Sequence, residues 1–264
     1  MTLRTLVWVS LLAWCLSPVG TAEATAGRKL SFPLRGHTLS LTIYRPTAAP
    51  RGTIIMGSGD VGWVGLAVKM SEFLSDEGFA VVGVNAREYL SAFTDGPRHV
   101  SPADVGADYA ELARMLDKEG LLPHPVLLSG VSEGAGLAIL AGGHAPNHAW
   151  LDGVVAMGLP ATAELAWRWT DVAALVRKKD PDEPSFAPEA FVGRIAPLPL
   201  AMIQSSTDEY ISDAGRERLR TAAGQPSTMQ IIPAANHRFT DKVPEVKAAL
   251  LNAVVWAISH APRR

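Results

Sequence analysis

A short serine-containing motif constrains the fold of this chain more than any other feature. Residues 130–134, Gly-Val-Ser-Glu-Gly, follow the apolar run at 125–128 and precede a run of small residues at 135–138. This order of strand, tight turn and helix is typical of a nucleophile elbow, which holds a serine in a strained backbone conformation. Glycines flank the serine because larger side chains would collide with the neighbouring strand and helix. We expect Ser132 to be a nucleophile and the backbone N–H of Glu133 to face a developing oxyanion.

A serine nucleophile needs a base and an acid that orients the base, and in this type of fold both follow the elbow along the chain. The apolar run at 199–204 leads into Asp208, and the strand-like run at 229–232 leads into His237. Both residues therefore fall in loops past the carboxyl ends of strands, where α/β folds place their sites. The order predicts that His237 takes the proton of Ser132 and that Asp208 orients the imidazole.

Other roles for these residues have to be weighed. Glu209 and Asp213 are alternatives for the orienting acid, because they lie in the same segment. Asp208 is also compatible with a simple helix cap, and His237 with an ordinary loop histidine. We favour the triad because the three residues occur in the expected order and each follows a strand.

A glycine-rich loop at residues 57–63 follows the strand predicted at 53–56. Such a loop lets backbone N–H groups approach a substrate oxygen closely, and we place the second oxyanion donor at Ser58 or Gly59. The glycine spacing also fits a dinucleotide-binding fingerprint. That alternative is weaker, because the loop follows a third strand and has no acidic ribose partner in register.

Composition narrows the class of protein. The 264 residues, 48% of them hydrophobic, suit one large α/β domain over residues 27–264. The formal net charge of −2 gives no indication of a nucleic-acid partner. His144 and His148 have the spacing of a helical metal pair, but Pro146 and adjacent glycines break any helix there. We therefore expect no metal and no cofactor.

The first 26 residues have the features of a secretory signal peptide. Arg4 precedes an apolar core at residues 6–14, and small residues provide cleavage sites near 22–26. An uncleaved N-terminal anchor is the alternative, although the apolar core is short for a membrane span. Cys15 is the single cysteine and would leave with this segment. We expect a periplasmic or secreted protein.

The rest of the chain alternates between strand and helix patterns. Strands are predicted at 28–33, 39–44, 53–56, 79–84, 126–128, 151–157, 199–204 and 229–232. Helices are predicted at 64–76, 101–118, after the elbow, and at 243–259 with Asp241 near its start, whereas 89–98 is predicted to be a loop. This alternation favours a doubly wound, mostly parallel sheet with helices on both faces.

The pattern changes between residues 160 and 197. A helix with two tryptophans is predicted at 164–179, followed by a segment rich in proline and acidic residues. Its position between the elbow and the acid loop suits a lid over the site, and an ordinary sheet-covering helix is the alternative. The segment carries a basic cluster formed by Arg168, Arg177, Lys178 and Lys179. The cluster suits peripheral contact with an anionic membrane surface or, alternatively, a solvated helix end.

These motifs resemble the α/β-hydrolase superfamily over nearly the whole mature chain. Within it, the loop at 57–63 resembles the Ser-Gly-Asp-Gly-Gly-Trp loop of the VirJ/AcvB group of periplasmic virulence-associated hydrolases, as does Val-Val-Gly-Val at 81–84. The elbow matches in form, although that group usually carries Tyr-Ser-Phe at 131–133. The group also tends to have a His-Phe pair, whereas Arg238 follows His237 here. The resemblance implies an esterase of the aminoacyl-phosphatidylglycerol type.

Two classes of function follow from this pattern. The first is a secreted serine hydrolase that cleaves a small-molecule or lipid ester with Ser132, His237 and Asp208. A peptidase or acyl-transferase would use the same three residues. The second is a non-catalytic periplasmic binding or assembly partner that keeps a hydrolase scaffold.

Overall fold

The computed structural model describes residues 27–168 and 184–262. The strands are β1 (Arg28–Leu34), β2 (His37–Tyr44), β3 (Thr53–Gly57), β4 (Ala80–Val84), β5 (Val126–Val131), β6 (Gly153–Met157), β7 (Ala163–Glu164), β8 (Ser185–Phe186), β9 (Leu200–Ser205) and β10 (Ser227–Ile232). The helices are α1 (Leu66–Asp76), α2 (Ala86–Ala92), α3 (Pro102–Lys118), α4 (Glu133–Gly142), α5 (Asp213–Ala222) and α6 (Val243–His260).

An eight-stranded sheet runs through the centre of the described part, in the order β1-β2-β4-β3-β5-β6-β9-β10. The β1–β2 hairpin turns at Arg35 and Gly36, which both have positive φ angles, as tight hairpin turns require. β2 pairs antiparallel with β4, and every pair from β4 to β10 is parallel. The predicted doubly wound, mostly parallel sheet is confirmed. Because six neighbouring strands are parallel, their carboxyl ends lie along one edge.

Helices cover both faces of the sheet. Every residue of β3, β4, β5, β6 and β9 is buried, as expected for strands with packing on both sides. α1 and α6 contribute to the apolar core on one face, and α3 and α4 contribute to the core on the other. α4 is apolar almost all round, and nine of its ten residues are buried. The helix that follows the serine turn is therefore held firmly by its surroundings.

One predicted loop is partly helical. The prediction of a loop at residues 89–98 is wrong for its first part, because α2 extends to Ala92. The Asn85 side chain caps this helix by accepting a hydrogen bond from the backbone N–H of Glu88. Tyr89 and Leu90 are buried on its inner face. The helix has only seven residues, which is too short for an apolar period to be recognised from sequence.

Two further predicted helix starts differ from the structure. The helix predicted from Glu164 does not begin there, because β7 pairs antiparallel with β8 in a two-stranded sheet. The predicted helix is also absent from the residues up to 168, which are irregular. Its predicted part at 169–179 lies outside the described residues. The targeting segment predicted at 1–26 lies outside them as well. Asp241 does not cap α6; its carboxylate accepts from the backbone N–H of Ala235, and the helix starts after Lys242.

Within residues 27–168 and 184–262, no helix has both the length and the apolar character needed to cross a membrane. Over the same residues, no group of three or more histidine, cysteine or acidic side chains is arranged to bind a metal ion. His148 instead hydrogen-bonds through Nε2 to the carbonyl of Gly142, at 2.8 Å.

Two adjacent valines on α6 provide a test of this packing. Val254 is fully buried against the sheet, whereas Val255 is 46% exposed. We expect Val254→Ala to lower the free energy of unfolding by about 2 kcal/mol, because two buried methyl groups are lost and a cavity forms. Val255→Ala should change it by less than about 0.5 kcal/mol. Urea unfolding monitored by circular dichroism measures both, and equal effects would contradict the packing of α6.

Candidate active site

Ser132 stands at a sharp turn between β5 and α4. Its backbone has φ 55° and ψ −118°, a conformation that non-glycine residues rarely adopt and that costs about 1–3 kcal/mol. The strand before it and the buried helix after it hold this conformation. The backbone N–H of Ser132 also donates to the carbonyl of Met157 on β6, at 3.0 Å. The turn predicted from the sequence is therefore present, with the serine at its tip.

Three glycines let the turn pack against the end of β3. A Cβ atom at Gly130 would lie 2.2 Å from the carbonyl carbon of Gly134, and one at Gly134 would lie 2.4 Å from that of Gly57. Both distances are far below a van der Waals contact, so side chains are excluded at these positions. These contacts explain the glycines on both sides of the turn and Gly57, the last residue of β3. A bound nucleotide is not needed to explain them.

The structure brings the three residues of the predicted triad together. His237 Nε2 lies 2.9 Å from Ser132 Oγ, and His237 Nδ1 lies 2.8 Å from Asp208 Oδ2. Asp208 follows β9 and His237 follows β10, so both extend from the carboxyl edge of the sheet. The His237 side chain is 5% exposed and the Asp208 side chain is fully buried. The arrangement has the geometry required for proton transfer from the hydroxyl.

The surrounding residues decide which acid holds the imidazole. Glu209 accepts a hydrogen bond from the backbone N–H of His237 at 3.0 Å rather than from its ring. Asp213, the other alternative, forms an ion pair with Arg216. The ring of Tyr210 packs edge-on against the imidazole, with ring centroids 4.7 Å apart. The geometry thus selects Asp208 as the partner of the ring, while its neighbours fix the loop.

The two predicted positions in the β3–α1 loop differ in their contacts. The backbone N–H of Ser58 already donates to the carbonyl of Val84 on β4, at 3.0 Å, and Ser58 is fully buried. Ser58 is therefore wrong as an oxyanion donor, because the same N–H cannot face a substrate. Gly59 lies beside Ser132: a Cβ atom built on it would be 3.6 Å from Ser132 Cβ. Of the two, Gly59 is the position next to the serine.

The Glu133 side chain makes a contact that the sequence analysis did not anticipate. Its Oε2 atom accepts a hydrogen bond from Ser132 Oγ at 2.7 Å. Burial raises the pKa of Glu133, and the nearby carboxylate of Asp60 raises it further. Hydrogen bonds from Ser132 and from the backbone N–H of Glu133, together with His237, act in the opposite direction. An acidic residue directly after the serine was the only signal of this contact in the sequence.

A cavity of about 350 Å³ opens over Ser132 and His237. Six aliphatic side chains form its apolar wall: Val61, Val64, Leu66, Ala67, Val131 and Val243. Charged side chains of both signs also line it, namely Asp60, Lys69 and Arg238. At its mouth, Val61 and Val64 are about half exposed. The cavity can thus contact apolar, cationic and anionic parts of one molecule.

Fold and site together define the class of this protein: it has the α/β-hydrolase fold, with a serine at the strained turn between β5 and α4. Residues 52–187, just over half of the chain, match the family described as bacterial virulence protein (VirJ). The chain therefore belongs to the VirJ family. Among curated proteins, no sequence matches this chain.

Solved structures that share this fold include esterases and hydrolases. The chain is similar to the esterase domain of a Rhodothermus marinus protein, with 20% identity and a TM-score of 0.60 over 89% of this chain and 98% of that one. It is similar to dienelactone hydrolase from Anabaena variabilis, with 18% identity and a TM-score of 0.60 over 91% and 100%. A lidless serine hydrolase from Xanthomonas campestris has 16% identity and a TM-score of 0.57 over 91% and 97%.

The glycine contact behind the turn can be tested with a matched pair of alanine variants. We expect Gly134→Ala to lower the free energy of unfolding by about 2 kcal/mol or more, because the new methyl group overlaps the backbone of β3. Gly59→Ala should change it by less than about 1 kcal/mol, because its Cβ atom meets only ordinary contacts. Thermal unfolding of both variants measures the difference. An unchanged midpoint for Gly134→Ala would contradict the close approach.

Proposed function

We propose that this protein hydrolyses carboxylic esters with a triad of Ser132, His237 and Asp208. The observation that carries the proposal is the position of the imidazole, which lies within hydrogen-bond distance of the hydroxyl on one side and of a buried carboxylate on the other. Membership of the α/β hydrolases supports a hydrolytic function, and the two contacts of His237 supply the mechanism.

The reaction proceeds in two halves. Ser132 Oγ attacks the ester carbonyl carbon while its proton passes to His237 Nε2, and Asp208 stabilises the imidazolium that forms. The backbone N–H groups of Glu133 and Gly59 bind the oxyanion. The imidazolium then protonates the leaving alcohol, which gives an acyl-serine. Water, deprotonated by the same imidazole, attacks this acyl group and restores the free hydroxyl.

The chemistry of the cavity supports an aminoacyl ester of phosphatidylglycerol as the substrate. Two carboxyl groups, those of Asp60 and Glu133, lie near enough to the nucleophile and to each other for Asp60 to raise the pKa of Glu133. The ammonium group of an aminoacyl ester would neutralise this pair. Lys69 and Arg238 suit the phosphodiester of the leaving lipid.

The mouth of the cavity and the start of the chain support a membrane-surface location for the reaction. Val61 and Val64 provide exposed apolar surface beside the cationic side chains of the cavity, which suits peripheral contact with anionic lipid. The signal peptide predicted at residues 1–26 supports a periplasmic or secreted protein.

Replacement of the triad residues tests the esterase proposal. We expect Ser132→Ala to abolish turnover of p-nitrophenyl butyrate and labelling by a fluorophosphonate, with little change in thermal midpoint. Asp208→Asn should lower kcat by about 10³- to 10⁴-fold, because the imidazole adopts the wrong tautomer. Steady-state kinetics and gel fluorescence measure these effects.

Glu209→Gln is the matched control, since that carboxyl accepts from the backbone N–H of His237 rather than from its ring. It should lower kcat by less than about tenfold. Retained turnover in Ser132→Ala would refute the mechanism, and a larger loss in Glu209→Gln than in Asp208→Asn would refute the acid assignment. A wild-type protein that the fluorophosphonate fails to label would favour a non-catalytic binding role.

Vesicles test the lipid substrate separately. We expect the wild-type protein to release free amino acid from vesicles that contain an aminoacyl-phosphatidylglycerol, and Ser132→Ala to release none. Lys69→Gln should raise the apparent KM for the vesicles severalfold and leave the kinetics with p-nitrophenyl butyrate unchanged. If the protein hydrolyses the soluble ester but releases no amino acid from the vesicles, the lipid substrate is rejected and the esterase proposal stands.

A further inference from the structure

The hydroxyl of Ser132 lies between two acceptors but has one proton to donate. His237 Nε2 lies 2.9 Å from Ser132 Oγ, and Glu133 Oε2 lies 2.7 Å from it on another side. Nucleophilic attack requires that the proton point at the imidazole, because the imidazole is the base. A carboxylate that accepts the same proton competes with His237 directly.

The groups around Glu133 determine its charge. Asp60 faces it from the β3–α1 loop and His237 from the loop after β10, while Tyr210 lies nearby on the loop after β9. Burial and the negative charge of Asp60 both disfavour the ionised carboxyl and raise the pKa of Glu133. A protonated Glu133 can donate to Ser132 Oγ, which leaves the hydroxyl proton for the imidazole.

We infer that Glu133 is a specificity-determining residue: its carboxylate withholds the Ser132 proton from His237 until a cationic acyl group or a proton neutralises it. The inference rests on the proposed esterase function. With a cationic substrate, the ammonium N–H replaces the serine hydroxyl as donor to the carboxylate, and the hydroxyl turns to His237 Nε2. In acid, a solvent proton on the carboxyl has the same effect. At alkaline pH a neutral ester does not neutralise the carboxylate, so Glu133 keeps the Ser132 proton and hydrolysis is slow.

Glu133→Gln mimics the neutral carboxyl and tests this role. At about pH 7, where the α-amino group of an amino-acid ester is still substantially protonated, we expect kcat/KM for the neutral p-nitrophenyl acetate to rise about tenfold, because an amide cannot take the hydroxyl proton as a carboxylate does. For the p-nitrophenyl ester of an amino acid, whose ammonium loses its partner, kcat/KM should fall about tenfold. The decline in neutral-ester activity toward alkaline pH should disappear. Glu119→Gln is the control, because Glu119 is an exposed residue after α3. It should change neither the kcat/KM values of the two esters nor the pH profile.

Asp60→Asn provides a second test, because it should extend the alkaline decline in neutral-ester activity that Glu133→Gln removes. Asp60 raises the pKa of Glu133, so its neutralisation should lower that pKa. The ionised form of Glu133 then persists to more acidic pH. We expect the alkaline decline in p-nitrophenyl acetate hydrolysis to move to lower pH in Asp60→Asn, whereas Glu133→Gln removes it.

The outcomes separate this inference from the esterase proposal. If Glu133→Gln lowers kcat/KM by the same factor for both esters, Glu133 does not select substrates. The same conclusion follows if the pH profile of neutral-ester hydrolysis stays as in the wild type. An unshifted profile in Asp60→Asn also rejects the role. If the wild-type protein hydrolyses neither ester and the fluorophosphonate does not label it, the esterase proposal itself fails.

Discussion

The close approach of three glycines at the end of β3 and at the serine turn determines the geometry of the site. Because Gly57, Gly130 and Gly134 have no side chains, the first turn of α4 can lie directly against the neighbouring strand. This contact fixes Ser132 in its strained conformation and brings Gly59 beside it. The proposed oxyanion donors and the proposed nucleophile therefore belong to one rigid unit of packed backbone, which favours electrostatic preorganisation.

Much of this arrangement was predictable because it depends on local signals and on chain order. The flanking glycines predict the turn at Ser132, and the alternating strand and helix patterns predict the parallel sheet. Once the strands are parallel, the residues that follow β9 and β10 must lie at the same edge as Ser132. Asp208 and His237 could thus be selected from the sequence, and the structure places His237 in contact with Asp208 on one side and with Ser132 on the other.

Other features depend on tertiary contacts that no local pattern specifies. Ser58 and Gly59 look equivalent in the sequence, and only the pairing of the loop with β4 shows that the N–H of Ser58 is used. The direction of the Glu133 side chain depends on the strained turn beneath it. Residue 164 begins a helical pattern in the sequence but pairs with β8 instead, because tertiary pairing overrides weak local propensity.

The position of β10 has a consequence for how the protein loses activity. In the part of the chain that the structure describes, β10 lies at the edge of the sheet and pairs only with β9, and most of its residues are partly or fully exposed. Edge elements of this kind open in local fluctuations that need far less free energy than global unfolding. Since the loop after β10 carries His237, fraying of this one strand would separate the imidazole from the serine while the rest of the sheet stays intact. Heat inactivation would then precede the main unfolding transition and would be reversible on cooling.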